Sequence, residues 1–419
     1  MEIIKSNRIL QAIYIALLCF FTYTCVFAFR KPFTVATFEG ETFGHLSYQT
    51  ILIISQVIGY MISKFIGIRF ISAMNRNARW KNVLFFVGLS WLSLFFFALV
   101  PPMLGILCFV VNGFMLGFMW GVIFSYAEGR RSTDFIGSVL AISFVFAGGF
   151  TRSVGKWLMV DFAVSEKWMP FCTGFVFALP LILLIYLMEK VPMPDEKDIS
   201  ERQERVSMSK QDRKLILVQF GAGIILLALI YTTLTIMRDI RDNYMSNMWA
   251  ELGYANNASV FTSSETRITV ILLIMMSAIV LIRKNMQAFR LIHVMVIVGF
   301  LTAAVSSYLY IGGQLGGAYW MQAVGLGLYM AYIPFNSIFF ERMIAAFRLK
   351  GNVGFLIYIT DAVGYVGSVC VMLSKELLNI QLKWTDFYAQ TVLILATAGS
   401  MGTLVALLYF NRKYKINPL

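Results

Sequence analysis

Charge is what this chain has least of. Lys, Arg, Asp and Glu make up 14% of its 419 residues, against about 25% in a soluble domain, too little to cover a water-facing surface. Acids are the scarcer sign, 22 against 35 basic residues, so few counter-ions exist for a cation placed away from water. Only two histidines occur, His45 in a loop and His293 in an apolar segment. They leave no zinc site, and His293 reads as a core residue rather than a proton relay. The five cysteines, Cys19, Cys25, Cys108, Cys172 and Cys370, all fall in apolar segments without metal-ligand spacing; they read as small buried hydrophobes, not disulfides or ligands. No G-x-x-x-x-G-K-[ST] loop is present, so energy from bound ATP is not expected. No apolar run alternates with period two, which argues against an outer-membrane barrel. No nucleophile, base and oxyanion set is visible on one face, so neither an enzyme nor a cofactor is expected.

What is abundant is hydrocarbon. With 59% hydrophobic residues and a mean hydropathy of +0.74, the chain is expected to be an all-α membrane protein crossing the bilayer many times. At about 20 apolar residues per span, candidate helices fall at 9–29, 50–71, 83–100, 103–126, 135–159, 168–188, 215–237, 267–282, 288–310, 318–340, 353–374 and 387–410, twelve in all. The first follows Lys5 and Arg8, is too long for a signal-peptide core, and has no small-residue cleavage site. The charged stretch 189–214, EKVPMPDEKDISERQERVSMSKQDRK, reads as a cytoplasmic linker between an N-terminal six-helix bundle, 1–188, and a C-terminal one, 215–419.

Cations cluster between spans. Lys5 and Arg8, Arg69, Arg76, Arg79 and Lys81, Arg130 and Arg131, Arg283, Lys284 and Arg290, Arg342, Arg348 and Lys350, and Arg412, Lys413 and Lys415 all fall on one side of the alternation. The positive-inside rule then puts both termini in the cytoplasm, with the chain in the inner membrane. The formal charge of +13 is therefore topological, and no nucleic-acid partner is expected. The long connection 239–265 lies on the outer side with Trp249 and Tyr254, a segment that would fold over a pore mouth. The fourth span, NGFMLGFMWGVIFSYAEGRR, echoes the tenth, VGLGLYMAYIPFNSIFFERM, as a duplicated six-helix transporter would.

The informative charges sit inside spans or at their ends: Arg30, Lys31, Lys64, Arg152, Lys156, Arg238, Arg241 and Asp361. A guanidinium at the bilayer centre costs at least about 2.5–3.5 kcal/mol, so each should face protein, water or an anion. Arg30 lies either at the interface or, if Pro32 kinks the first helix rather than ending it, in a pore. Lys64 either snorkels or lines that pore. Arg152 and Lys156, one turn apart after two glycines, line an outer vestibule or end the fifth span. Asp361, the acid placed well inside a span, would pair with a pore cation or carry a proton. Cations in excess over acids select an anion, which arginines from opposite halves would grip bidentately. Tyr23, Phe27, Tyr60, Trp120, Tyr231, Tyr332 and Tyr358 would shape its organic part, although aromatics in spans are usually packing.

These segments resemble the major facilitator superfamily, and within it the organophosphate:phosphate antiporter family. AFRKPFTVATF, 28–38, is similar to that family's first-helix segment, with a phosphate-binding arginine followed by lysine. GYMISKFIGIRF, 59–70, is similar to its second-helix segment, and LTIMRDIRDNY, 234–244, to the seventh-helix segment with the second arginine. The resemblance implies that Arg30 and Arg238 clamp the anion, that Lys64 adds charge, and that the protein is a monomer. Two departures point to a divergent bacterial branch: Phe146 stands near the position of a fifth-helix histidine, and GIRFISAMNRNARWK lacks the superfamily's usual aspartate. The expectation is a secondary transporter of a small organic anion, phosphorylated or phosphate-like, working by alternating access. Arg30, Lys64, Arg238, Lys31 and Arg152 bind substrate, and Asp361 couples or gates. Two alternatives stay open: a proton-coupled carboxylate or peptidoglycan-fragment permease, and a transporter-like membrane sensor of an anionic ligand.

Overall fold

The computed structural model describes residues 8–74, 78–128, 130, 132–192, 210–348, 353–378 and 382–416. Most of the predicted linker lies outside them, as do Lys5, Arg76, Arg131, Lys350 and the side chain of Tyr358. The described chain is helical apart from a two-stranded hairpin, β1 (Thr42–Phe43) and β2 (Leu46–Ser47), turned by Gly44 at a positive φ of 63°.

The helices are α1 (Arg8–Phe27), α2 (Tyr48–Ala73), α3 (Arg79–Leu99), α4 (Pro102–Gly117), α5 (Met119–Ala127), α6 (Thr133–Asp161), α7 (Met169–Glu189), α8 (Lys210–Trp249), α9 (Ser259–Val280), α10 (Asn285–Ile311), α11 (Gly317–Ser337), α12 (Phe339–Ala346), α13 (Val353–Leu377) and α14 (Trp384–Ile416). Among the described residues ten helical segments, α4 and α5 counted together, are long and apolar enough to cross a membrane. The pair α11 and α12, bent by 53° just beyond Pro334, makes an eleventh. Helix α13 occupies the eleventh predicted position, 353–374. Side chains such as Leu281, 80% exposed, and Leu179, 76% exposed, have no aqueous rationale and mark lipid-facing surface.

Two predicted boundaries are corrected, both near cations. Helix α1 does not run through Arg30 on a kink. It ends at Phe27, and Ala28, Phe29 and Arg30 donate backward to Cys25, Val26 and Phe27 in tightened turns. Pro32, with no N–H and a fixed φ, then opens a separate 3-10 helix, Pro32–Val35. The predicted outer loop 239–265 is mostly helix. Met237, Ile240, Tyr244, Met245 and Met248 recur at helical spacing and are all buried, so α8 continues to Trp249 and closes in a wider turn, Ala250–Tyr254. It is kinked at Tyr244, whose φ and ψ of −113° and 18° are not helical. Trp249 is buried edge-on against Tyr254 rather than laid over an opening.

The chain forms two compact units. One comprises Met1–Arg202, Asn243–Thr269 and Leu373–Ile380; the other comprises Gln203–Asp242, Val270–Met372 and Gln381–Leu419. In the first, α1 packs on α6 and α7, and α2 packs along α4. A Cβ on Gly113 would stand 2.0 Å from the Gln56 carbonyl oxygen, and one on Gly59 2.0 Å from that of Val110, so α2 and α4 touch backbone to backbone. In the second, α10 packs on α11 and α14, with Gly299 and Gly327 each facing the other's carbonyl.

The first unit also holds an ionic cap. The Glu376 carboxylate accepts from Ser47 N–H at 2.6 Å, from Ser47 Oγ at 2.7 Å and from Thr50 Oγ1, at the positive N-terminus of α2. Thr50 Oγ1 also meets the Tyr244 hydroxyl at 2.5 Å, beside the kink of α8. Hydrogen bonds to a charged group contribute about 1.5–3 kcal/mol each. Glu376→Ala is expected to lower the melting temperature by several degrees in a detergent thermal-shift assay, at about 2–4 °C per kcal/mol; an unchanged melting temperature would show the cap to be energetically idle.

Candidate functional site

In the first unit the predicted cations separate into two kinds. Lys31 is 8% exposed and donates to Asn243 Oδ1 at 2.8 Å. Arg152, in the body of α6 rather than at its end, is 1% exposed and donates from Nε to Thr34 Oγ1 at 3.0 Å, and Thr34 Oγ1 in turn donates to the Lys31 carbonyl at 2.8 Å. Both therefore brace the short 3-10 segment that follows Arg30.

Arg30 differs. Its guanidinium carbon lies 4.0 Å from the centre of the Tyr60 ring and 5.8 Å from that of Phe27. Its Nε is buried without a hydrogen-bond partner among the described residues. Lys64, one turn along α2 from Tyr60, places Nζ 5.1 Å from the same ring centre. One tyrosine thus faces two cations, an arrangement the ring quadrupole favours only modestly.

In the second unit the expected excess of cation over acid is not found around Arg238. Its Nε and Nη2 both donate to Asp239 Oδ1, at 2.9 and 2.6 Å, while Asp239 Oδ2 is buried without a partner among the described residues. The guanidinium lies 4.5 Å from the Tyr332 ring centre and 5.6 Å from that of Tyr365. Beside it Asp361 accepts from the Tyr231 hydroxyl at 2.5 Å, and that hydroxyl also meets Tyr332 at 3.0 Å and Asn336 at 3.2 Å. Arg238 and Asp361 are thus joined through one cluster of tyrosines. Arg241 is fully buried, with Nη2 3.4 Å from the Met321 carbonyl, and Asp242 accepts from Tyr329 at 2.6 Å.

Asp361 is accordingly not the one acid well inside a span. Asp239, 6% exposed, and Glu265, 1% exposed, are helical and buried as well; both fell in the predicted outer loop, Asp239 because four charges within 238–242 mask the apolar period. The tight sequence pairing of Arg238 with Asp239 was the available signal. His293 is the core histidine expected, its Nδ1 2.8 Å from the Phe289 carbonyl and its ring edge-on to Phe289. A surface cavity of ≈ 640 Å³ between the end of α6 and residues 253–259 is lined by Val160, Asp161 and loop atoms. None of these cations lines it.

The architecture is one found in solved membrane transporters. Similar structures include a bacterial homologue of the human lysosomal transporter Spinster, inward-facing and unoccupied, with a TM-score of 0.56, 11% identity, and 96% of this chain and 96% of that chain covered. A D-xylose–proton symporter gives 0.64 and 14%, covering 94% and 97%; the nucleoside transporter NupG gives 0.59 and 14%, covering 96% and 100%. These likenesses and the apolar spans define the class, a multi-pass membrane protein with the major facilitator fold. Within it the chain belongs to the family described as "Family of unknown function (DUF5690)", which matches residues 32–413. No curated protein matches it.

Proposed function

We propose that the protein is a secondary transporter of a small organic anion, phosphorylated or phosphate-like, working by alternating access as a monomer in the inner membrane with both termini cytoplasmic. The observation that carries this reading is Arg30, a half-buried guanidinium whose Nε has no acceptor among the described residues, stacked on a ring that Lys64 shares. A buried donor without a partner costs about 1–3 kcal/mol, and a bidentate oxyanion is the group that removes this cost. Arg238 is the second substrate-binding arginine in this reading, and it takes the anion in exchange for Asp239. The similarity of the three motifs to organophosphate:phosphate antiporters supports phosphate as the charged group, and the transport carried out by the structurally similar proteins supports flux rather than sensing. A thermal-shift screen of the purified protein against phosphate esters, phosphonates, carboxylates and neutral sugars tests it. Phosphate-bearing ligands are expected to stabilise; stabilisation by neutral sugars alone would overturn the reading, and saturable anion binding without flux in reconstituted vesicles would favour the sensor.

The runner-up is a proton-coupled carboxylate or peptidoglycan-fragment permease, favoured by the burial of Asp361 against Tyr231, whose hydroxyl also meets Tyr332. Asp361→Asn separates the two. An asparagine oxygen still accepts from Tyr231, so under the anion-exchange reading uptake into vesicles persists in the variant and with a collapsed proton gradient. Loss of uptake in both conditions would move the assignment to the permease.

A further inference from the structure

Arg30 owes its position to an amide pair contributed by two other helices. Past the end of α1 the carbonyls of Phe29 and Arg30 have lost their helical donors. Gln56 of α2 donates from Nε2 to the Arg30 carbonyl at 3.0 Å, and Asn112 of α4 donates from Nδ2 to the Phe29 carbonyl at 3.0 Å. The amides also bond each other, Gln56 Nε2 to Asn112 Oδ1 at 2.8 Å, and the remaining Asn112 proton goes to Ser90 Oγ at 2.7 Å. All four amide protons are therefore placed. Turning Gln56 over would set its oxygen against the Arg30 carbonyl, and turning Asn112 over would do the same at Phe29, so the network admits one orientation. Gln56, Asn112 and Ser90 are 3%, 0% and 0% exposed, and water does not compete for these bonds.

The pair meets where it does because of glycine. Gly59 and Gly113 let the α2 and α4 backbones touch, which brings Gln56 level with Asn112 against the chain leaving α1. Tyr60 follows Gln56 by one turn on the same helix, so the residue that holds the Arg30 backbone and the residue that supports its guanidinium share one rigid element.

From this geometry we infer that Gln56 and Asn112 are the positioning residues of the anion site: they hold residues 29–30 out of the helix and fix the Arg30 guanidinium over Tyr60. This rests on the reading of Arg30 as an anion ligand, and the experiment keeps the two apart. The arginine-selective reagent phenylglyoxal is applied to the full-length protein in vesicles, with and without inorganic phosphate, and modification of Arg30 is followed by mass spectrometry. In the wild type, phosphate protects Arg30. In Gln56→Met and Asn112→Leu, Arg30 reacts at a rate changed by at least about threefold, and half-protection needs on the order of tenfold more phosphate, the loss expected when roughly one hydrogen bond's worth of alignment is removed. Ser90→Ala, which removes only the acceptor behind Asn112, folds and shows a smaller shift in the same direction. Thr173→Ala, a hydroxyl deletion on α7, is the control for general loosening and leaves Arg30 labelling unchanged. Wild-type labelling of Arg30 in Ser90→Ala and in either amide variant would overturn the positioning role. Absent phosphate protection in the wild type, with labelling still shifted in the variants, would overturn the anion reading and leave the positioning role standing.

Discussion

Replacing Arg30 by alanine is expected to weaken binding of inorganic phosphate and phosphate esters by at least about a hundredfold while the protein still inserts and folds. A guanidinium reaching an oxyanion forms two charge-assisted hydrogen bonds, each contributing about 1.5–3 kcal/mol, and each 1.4 kcal/mol is tenfold in affinity. Folding should survive, because the Arg30 contacts that hold the chain are made by its backbone, to Gln56 and Phe27, and alanine retains them. The side chain meets chiefly the rings of Tyr60 and Phe27, so its loss forfeits packing and a modest cation–π term. Arg30→Lys separates charge from geometry: the ammonium remains over the ring but lacks the planar fork, and an intermediate affinity follows. Titration of phosphate against the three proteins by calorimetry decides the matter; wild-type affinity in Arg30→Ala removes this arginine from the site.

The second large effect is structural. Gly113→Ala is expected to lower the melting temperature by ten degrees or more, or to abolish recovery of monodisperse protein. The added methyl would lie 2.0 Å from the Gln56 carbonyl oxygen and 2.8 Å from its carbon, and both are backbone, so no rotamer change relieves the overlap. Overpacking a core commonly costs about 1–3 kcal/mol when side chains can shift; here two helices must separate, and the cost is expected above that range. Gly88→Ala is the matched control. A Cβ at Gly88 in α3 meets nothing within 4 Å, and the substitution should be neutral or stabilising, since glycine in a helix interior is worth roughly 0.5–1 kcal/mol less than alanine. Equal melting temperatures for Gly113→Ala and Gly88→Ala in size-exclusion and thermal-shift measurements would contradict the backbone contact between α2 and α4.

The sites of these variants differ in how far they could be foreseen. Arg30 and Lys64 declare themselves in one dimension, because an ion in an apolar run carries a solvation cost that some partner must offset, and Tyr60 lies one turn from Lys64 on the same helix. Gln56 and Asn112 do not. A single amide in a span carries little cost of its own, and only the crossing of α2 and α4 brings these two together, 56 positions apart in the chain. Asp239 was hidden for another reason. The charges of 238–242 depress local hydropathy enough to imitate a loop, although the helical recurrence of Met237, Ile240, Tyr244 and Met248 runs straight through them. Periodicity was the better guide there than average polarity.

Composition and hydropathy alone settled the class of molecule, since burial in a bilayer is a nearly additive property of side chains and about twenty apolar residues in a row have few other uses. They also singled out the cations worth following. Which cation is braced and which is left with an unmet donor was decided by packing. Lys31 and Arg152 are bound to Asn243 and Thr34, Arg238 is held by its neighbour Asp239, and Arg30 stands over Tyr60 with Nε unmet among the described residues. Hydrogen bonds are short-ranged and directional, so that distinction exists only once distant helices have been brought within 3 Å of one another.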